Sequence, residues 1–144
     1  MAFSLRCMLL AMNTEENSAN PETPLILTHN SEGVRTLTMN RPARLNGWTM
    51  EMMEALKAAF KKATYDDQTR ALVLTGADPY YCAGVNLAAT IRLTHPRKLR
   101  DMIVEHNQAL FDTFLDFPKP LLIAINGPAI GASVTSATLC DGII

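Results

Sequence analysis

Hydrophobic positions recur along the chain at alternating spacings, and each change of spacing marks a new element. "LILTHNSEGVRTLTMN" holds two short runs of apolar and β-branched residues, predicting strands over Leu25–His29 and Val34–Met39 around a turn at Asn30–Gly33. Pro42 and Gly47 make "RPARLNG" a loop. Thr49 is then a good N-cap, with Glu51 near the positive end of a helix whose buried stripe is Met53, Leu56, Phe60 and Ala63. "YDDQTR" ends that helix. "ALVLTG" has strand length and no clean alternation, which predicts a strand buried on both faces, as in a parallel sheet. A second helix is predicted from about Arg97 to Asp116, with Leu99, Met102, Ile103, His106, Leu110 and Phe114 on one side and "FPKP" as its stop. "LLIAIN" follows as a third buried strand, and "GPAIGASVTSATLCD" turns into a helix near Gly131.

Alternation of strand and helix, with connections long enough for parallel crossovers, predicts an α/β fold. The last residues, "GII", read as the start of a further strand, so residues 24–144 are expected to be part of a longer domain. Residues 1–23 are expected to be a flexible leader or weak targeting segment. "MAFSLRCMLLAM" offers one Arg on an apolar stretch, but Glu15 and Glu16 follow at once, and "NTEENSANPET" is polar.

Composition narrows the function classes. The 144 residues are 48% hydrophobic and 19% charged, with a formal net charge of −1, which argues against a nucleic-acid binder. Cys7, Cys82 and Cys140 are too few and too scattered for a disulfide framework or a zinc ribbon, and their odd number suits a reducing compartment. No apolar run approaches the roughly 20 residues that a membrane helix needs.

Two loops stand immediately beyond the ends of predicted buried strands, the edge at which open α/β sheets bind ligands. "YYCAGVNL" holds Ala83, Gly84 and Val85; "NGPAIGAS" holds Gly127, Gly131 and Ala132. Small residues there let a ligand approach the main chain. The N–H of Ala132, paired with one from the first loop such as that of Val85, would make a two-donor oxyanion hole. On spacing alone the plainer reading, two close-packed strand–helix turns, is the default.

"NRPARLN", "VLTGADPYYCAGVNL" and "FPKPLLIAINGPAIGASVTSATLCD" together resemble the enoyl-CoA hydratase/isomerase (crotonase) superfamily, most nearly its Δ3,Δ2-enoyl-CoA isomerase branch. The branch is suggested by Pro128 after the glycine, by the absence of a glycine triplet and by the paired tyrosines. The resemblance runs from about Leu25 to Ile144 and covers roughly the N-terminal half of a family domain. It implies a fold of repeated ββα units, here truncated, that binds acyl-CoA and steadies an enolate with two backbone amides. Carried over position by position, those donors fall on Val85 and Ala132. The loop Ala83, Gly84, Val85, Asn86 and Leu87, with Gly131, would bind the substrate. Arg44 lies beside the position where many members carry a lysine near the CoA phosphates. The resemblance further implies no cofactor beyond the CoA thioester itself, no metal, a homotrimer at full length, and a place in fatty-acid β-oxidation in mitochondria or peroxisomes, otherwise the cytoplasm.

Departures from the pattern restrict the chemistry. Thr135 stands where hydratases carry a catalytic glutamate, so hydration is not expected. Isomerases of this branch use a glutamate further along than Ile144, so this chain is expected to lack the base and to be inactive alone. Asp141 falls at a structural position of the family. Two other readings stay open: a non-catalytic acyl-CoA binder or assembly partner, and another reaction of the superfamily such as enoyl-CoA hydration or thioester hydrolysis. Cys82 reads as a packing residue rather than a nucleophile. His106 reads as a packed or hydrogen-bonded helix residue, His29 and His95 as solvated loop residues, and "HPRKLR" as a solvated helix start, with a CoA phosphate contact as the alternative.

Overall fold

The computed structural model describes residues 23–86 and 95–144. Most of the predicted leader, and Leu87 of the first loop, lie outside the described residues.

The chain begins with an antiparallel hairpin of β1 (Ile26–Ser31) and β2 (Val34–Met39), in which Ile26 faces Met39 and Ser31 faces Val34. Its turn is two residues, shorter than the sequence suggested. Glu32 and Gly33 both take positive φ, the mirror-image turn whose twist matches that of the strands. Then come α1 (Met50–Thr64) and β3 (Ala71–Gly76), which pairs parallel to β2. Further on are α2 (Pro96–Ile103), a π-helical stretch at Val104–Gln108, and α3 (Ala109–Leu115). β4 (Leu121–Ile123) pairs parallel to β3. After α4 (Ala132–Thr138), β5 (Gly142–Ile143) pairs parallel to β4. Spatial order follows chain order, β1-β2-β3-β4-β5. The α/β class is as expected.

Thr49 caps α1 as its sequence position requires, accepting a hydrogen bond from the Met52 amide at 3.4 Å. Met53, Leu56, Phe60 and Ala63 are all buried, joined by Met52. They meet Leu37, Leu72, Leu74, Leu121 and Ile123 from one face of the sheet and Leu110 and Phe114 from α3. Phe60 ties α1 to the α3 region by two ring contacts, with Phe114 at 4.9 Å and Phe117 at 5.3 Å between centroids. Each such pair adds about 0.5–1.5 kcal/mol beyond its burial.

Three expectations are corrected. β3 is not buried equally on both faces: Leu72 and Leu74 are buried, whereas Ala71, Val73 and Thr75 are only half-covered. The buried cluster lies on one face, so β3 alternates as a one-sided strand does. "LLIAIN" is ladder-paired only over Leu121–Ile123. The predicted helix over 97–116 contains a π turn, which inserts an extra residue and rotates the faces before and after it. Leu110 and Phe114 therefore reach the core, while Leu99, Met102 and His106 are half-buried and Ile103 is exposed.

Arg35, on the buried face of β2, forms an ion pair with Asp66 just past α1. Thr69 donates to the same carboxylate at 2.8 Å, and the Gln68 amide does so at 3.1 Å. Lys119 donates to the carbonyls of Ala63 and Asp66, both at 2.8 Å, fastening the end of α1 to the approach to β4.

Candidate active site

The site region is built on the loop before α1. After a 3₁₀ turn at Pro42–Arg44, Leu45 and Asn46 both take a left-handed φ of 53°. Asn tolerates that conformation better than most residues, and here it turns the Asn46 side chain inward. Its Oδ1 accepts the Arg41 amide at 2.9 Å, and its Nδ2 donates to the carbonyls of Ala77 and Tyr80, both at 2.7 Å. One buried side chain thus clamps the loop to the segment leaving β3.

Cys82 continues the clamp. Its thiol donates to the Asn46 carbonyl at 3.1 Å and accepts the Gly84 amide at 3.3 Å. Burial pushes the thiol up to about 11, so it stays protonated. The packing role expected for Cys82 is the one the structure shows.

Two isolated parallel bridges then orient the loops, Trp48 with Val85 and Cys82 with Ala129. In the first, the Trp48 amide donates to the Gly84 carbonyl and the Asn86 amide to the Trp48 carbonyl, each at 2.8 Å. Peptide groups on either side of Val85 are thereby spent on Trp48, and the amide of Val85 itself points the other way. In the second, the Cys82 amide donates to the Pro128 carbonyl at 3.3 Å and the Ile130 amide to the Cys82 carbonyl at 3.0 Å.

Gly84 is where the loops touch. At φ 81°, it lies so close to Ile130 that a Cβ would overlap the Ile130 carbonyl oxygen and stand 3.6 Å from the Ala132 nitrogen. Gly131, at φ 62°, starts α4, with Ala132 as its first residue. Among the described residues, neither the Val85 nor the Ala132 amide donates to a protein acceptor. Gly84 is therefore brought against Ile130 and Ala132, with Ala83, Val85 and Asn86 flanking it in the chain. Arg44 is exposed, and the carbonyl of its neighbour Leu45 accepts the Ala83 amide at 2.9 Å. Leu87 is outside the described residues.

The remaining candidates stand apart from this seam. Thr135 is exposed on α4. Asp141 accepts the Leu121 amide at 2.8 Å, a structural role. His106 Nδ1 lies 4.0 Å from Glu54, and His95 caps α2 by accepting the Arg97 amide at 3.3 Å, a capping role that the sequence reading missed. Neither loop carries an Asp or Glu between 82 and 86 or between 127 and 135.

Two residues of the seam escaped the sequence reading. Asn46 was signalled only by the Asn46–Gly47 pair, which favours left-handed backbone. Ser133 is fully buried, with its hydroxyl 3.0 Å from the Cys82 carbonyl. A lone serine after a glycine turn gives no such signal.

Comparison with known proteins shows what the chain is similar to. The family model described as enoyl-CoA hydratase/isomerase matches residues 29–144. The chain is 40% identical over 121 residues to 1,2-epoxyphenylacetyl-CoA isomerase of Escherichia coli, covering 83% of this chain and 46% of that protein. It is 32% identical over 125 residues to the mouse protein named enoyl-CoA delta isomerase 3, peroxisomal, covering 85% of this chain and 38% of that one. A solved enoyl-CoA hydratase/isomerase from Pseudoalteromonas atlantica superposes with a TM-score of 0.68 at 27% identity, covering 83% of this chain and 45% of the other. The chain spans about half the length of the relatives it matches, or less.

Proposed function

Because the chain belongs to the enoyl-CoA hydratase/isomerase family, we propose that the seam between its two loops receives the thioester oxygen of an acyl-CoA. The observation that supports this is a pair of backbone amides, Val85 and Ala132, that donate to no protein acceptor among the described residues and stand on loops that meet at Gly84. Two amide donors aimed at one oxygen stabilise the charge that develops there when a proton leaves C2. Ala83 to Leu87 and Gly131 would line the bound thioester, and Arg44 would meet the CoA phosphates.

The reaction we assign to the natural protein is the shift of a 3-enoyl-CoA to its 2-trans isomer. A base removes the C2 proton and the electron pair moves onto the thioester oxygen. The pair then returns to form the C2–C3 double bond, while the former C3–C4 π pair takes a proton at C4. One base on one face suffices for this, whereas water addition needs an acid and a base together. The absence of a carboxylate from both loops and the presence of Thr135 favour isomerisation over hydration. The base is assigned to a residue outside these 144. Without it the chain would be a weak binder of acyl-CoA or an assembly partner of other family members; the homotrimer is the expected state of the full-length protein. The expected compartment is the mitochondrion or peroxisome.

The test is incubation of the full natural protein with a 3-enoyl-CoA, following the near-ultraviolet absorbance of the conjugated 2-enoyl product. Formation of that product supports the isomerase reading. Acyl-CoA binding without turnover supports the non-catalytic one, and no binding sinks both.

A further inference from the structure

We propose that Ser133 is a positioning residue that fixes the Ala132 amide relative to the Val85 loop, a role that rests on the thioester reading above. The bridge between Cys82 and Ala129 controls the second loop as far as Ile130. Beyond it comes Gly131, whose φ of 62° and open surroundings leave nothing within 4 Å of an added Cβ. No side-chain contact fixes Gly131 itself, and Ala132, the next residue, packs only partly against the core. Ser133 adds a hydrogen-bonded constraint at this point.

Its side chain is 0% exposed. The hydroxyl accepts the Ile130 amide at 3.1 Å, and lies 3.0 Å from the Ile130 carbonyl and 3.0 Å from the Cys82 carbonyl. One hydroxyl has one proton and two lone pairs, so it accepts from Ile130 while giving its proton to either carbonyl. The Ile130 amide also reaches the Cys82 carbonyl at 3.0 Å, which closes the cluster. Ser133 thus reaches back across Gly131 and ties the first turn of α4 to Cys82, three residues before Val85. A serine that only satisfied its own hydroxyl would bond within its helix, as Ser136 does to the Ser133 carbonyl at 3.0 Å.

The test uses the full natural protein and two probes, butyryl-CoA and acetoacetyl-CoA. The second loses a C2 proton to solvent and, when its oxygen is held by amide donors, accumulates as an enolate with its own near-ultraviolet absorbance. In Ser133→Ala, butyryl-CoA affinity should stay within about threefold, while the enolate-to-ketone ratio falls roughly tenfold or more, since loss of a whole donor costs about 10²–10³. Ser133→Thr keeps the hydroxyl and should recover part of that ratio. Should Ser133→Ala fail to fold, Ser133→Cys gives the same comparison, because a thiol weakens and lengthens the tie without emptying the site. An unchanged enolate ratio in a folded variant, or equal loss of both ligands, overturns the positioning role. Failure of the wild type to bind either thioester overturns the thioester reading itself, and this role with it.

Discussion

Gly84 and Ile130 meet backbone against backbone, with no room for a Cβ between them, and this contact decides how near the two loops stand. Gly84→Ala would have to hold a left-handed φ of 81° and push Ile130 away. Strain and overpacking together cost roughly 3 kcal/mol or more. The expected result is a melting temperature lower by more than about 8 °C, together with weakened acyl-CoA binding. A variant that melts and binds as the wild type does would mean that the loops are not in contact.

Asp66 carries the acid sensitivity of the α1–β3 connection. Its carboxyl is held below the usual range by the Thr69 hydroxyl first, then by the Gln68 amide, Arg35 and Lys119. A carboxylate with a folded pKa below its unfolded value contributes stability that is full above about pH 4 and is lost as pH falls through the lower folded value. Thr69→Val removes the largest cause. Urea midpoints measured from neutral to acid pH should therefore fall less steeply below about pH 4 in Thr69→Val than in the wild type. An identical acid limb would show that the Thr69 bond does not tune Asp66.

The thiols of Cys82 and Cys140 should be inert in the folded protein. Burial raises Cys82 to about 11 and Cys140 to about 12, Asp141 adding to the second. At pH 8 the reactive thiolate of Cys82 is on the order of one molecule in a thousand, before access is considered. Peptide mass spectrometry after iodoacetamide treatment should find both unmodified under native conditions and both modified in urea. Native labelling of Cys82 would contradict its placement beneath the loop.

Thr49→Ala tests the start of α1. The hydroxyl caps the Met52 amide and accepts from the Arg41 guanidinium at 3.3 Å, so its loss should cost about 1 kcal/mol in denaturant titration. It should also release Glu51, whose carboxyl is held down chiefly by the Thr49 hydroxyl. A carbon-detected NMR titration of Glu51 that does not move on substitution would remove that assignment.

Local chemistry made much of the fold legible. The stripe Met53, Leu56, Phe60 and Ala63 predicted the buried face of α1 because one uninterrupted helix carries it. The same rule failed between Leu99 and Leu110, where a π turn changes the phase without any distinctive residue to announce it. Val73 and Thr75 look as apolar or β-branched as a doubly buried strand requires, yet their exposure depends on what packs against the far face. At the loops, glycines at 84 and 131 were visible as points of close approach or unusual backbone. Asn46 and Ser133 were not, because their partners Tyr80 and Cys82 lie 34 and 51 positions away in sequence.

The two single-pair bridges, Trp48 with Val85 and Cys82 with Ala129, carry strand-like pairing past the last residues of the sheet and into the loops. Segments that would ordinarily pay an entropic penalty to settle around a guest are instead set when the sheet itself forms. The acyl-CoA proposed above would meet loops already held by these pairs rather than a closing hand. The amides of Trp48 and Ile130 should accordingly exchange with solvent as slowly as those of neighbouring strands, with or without ligand.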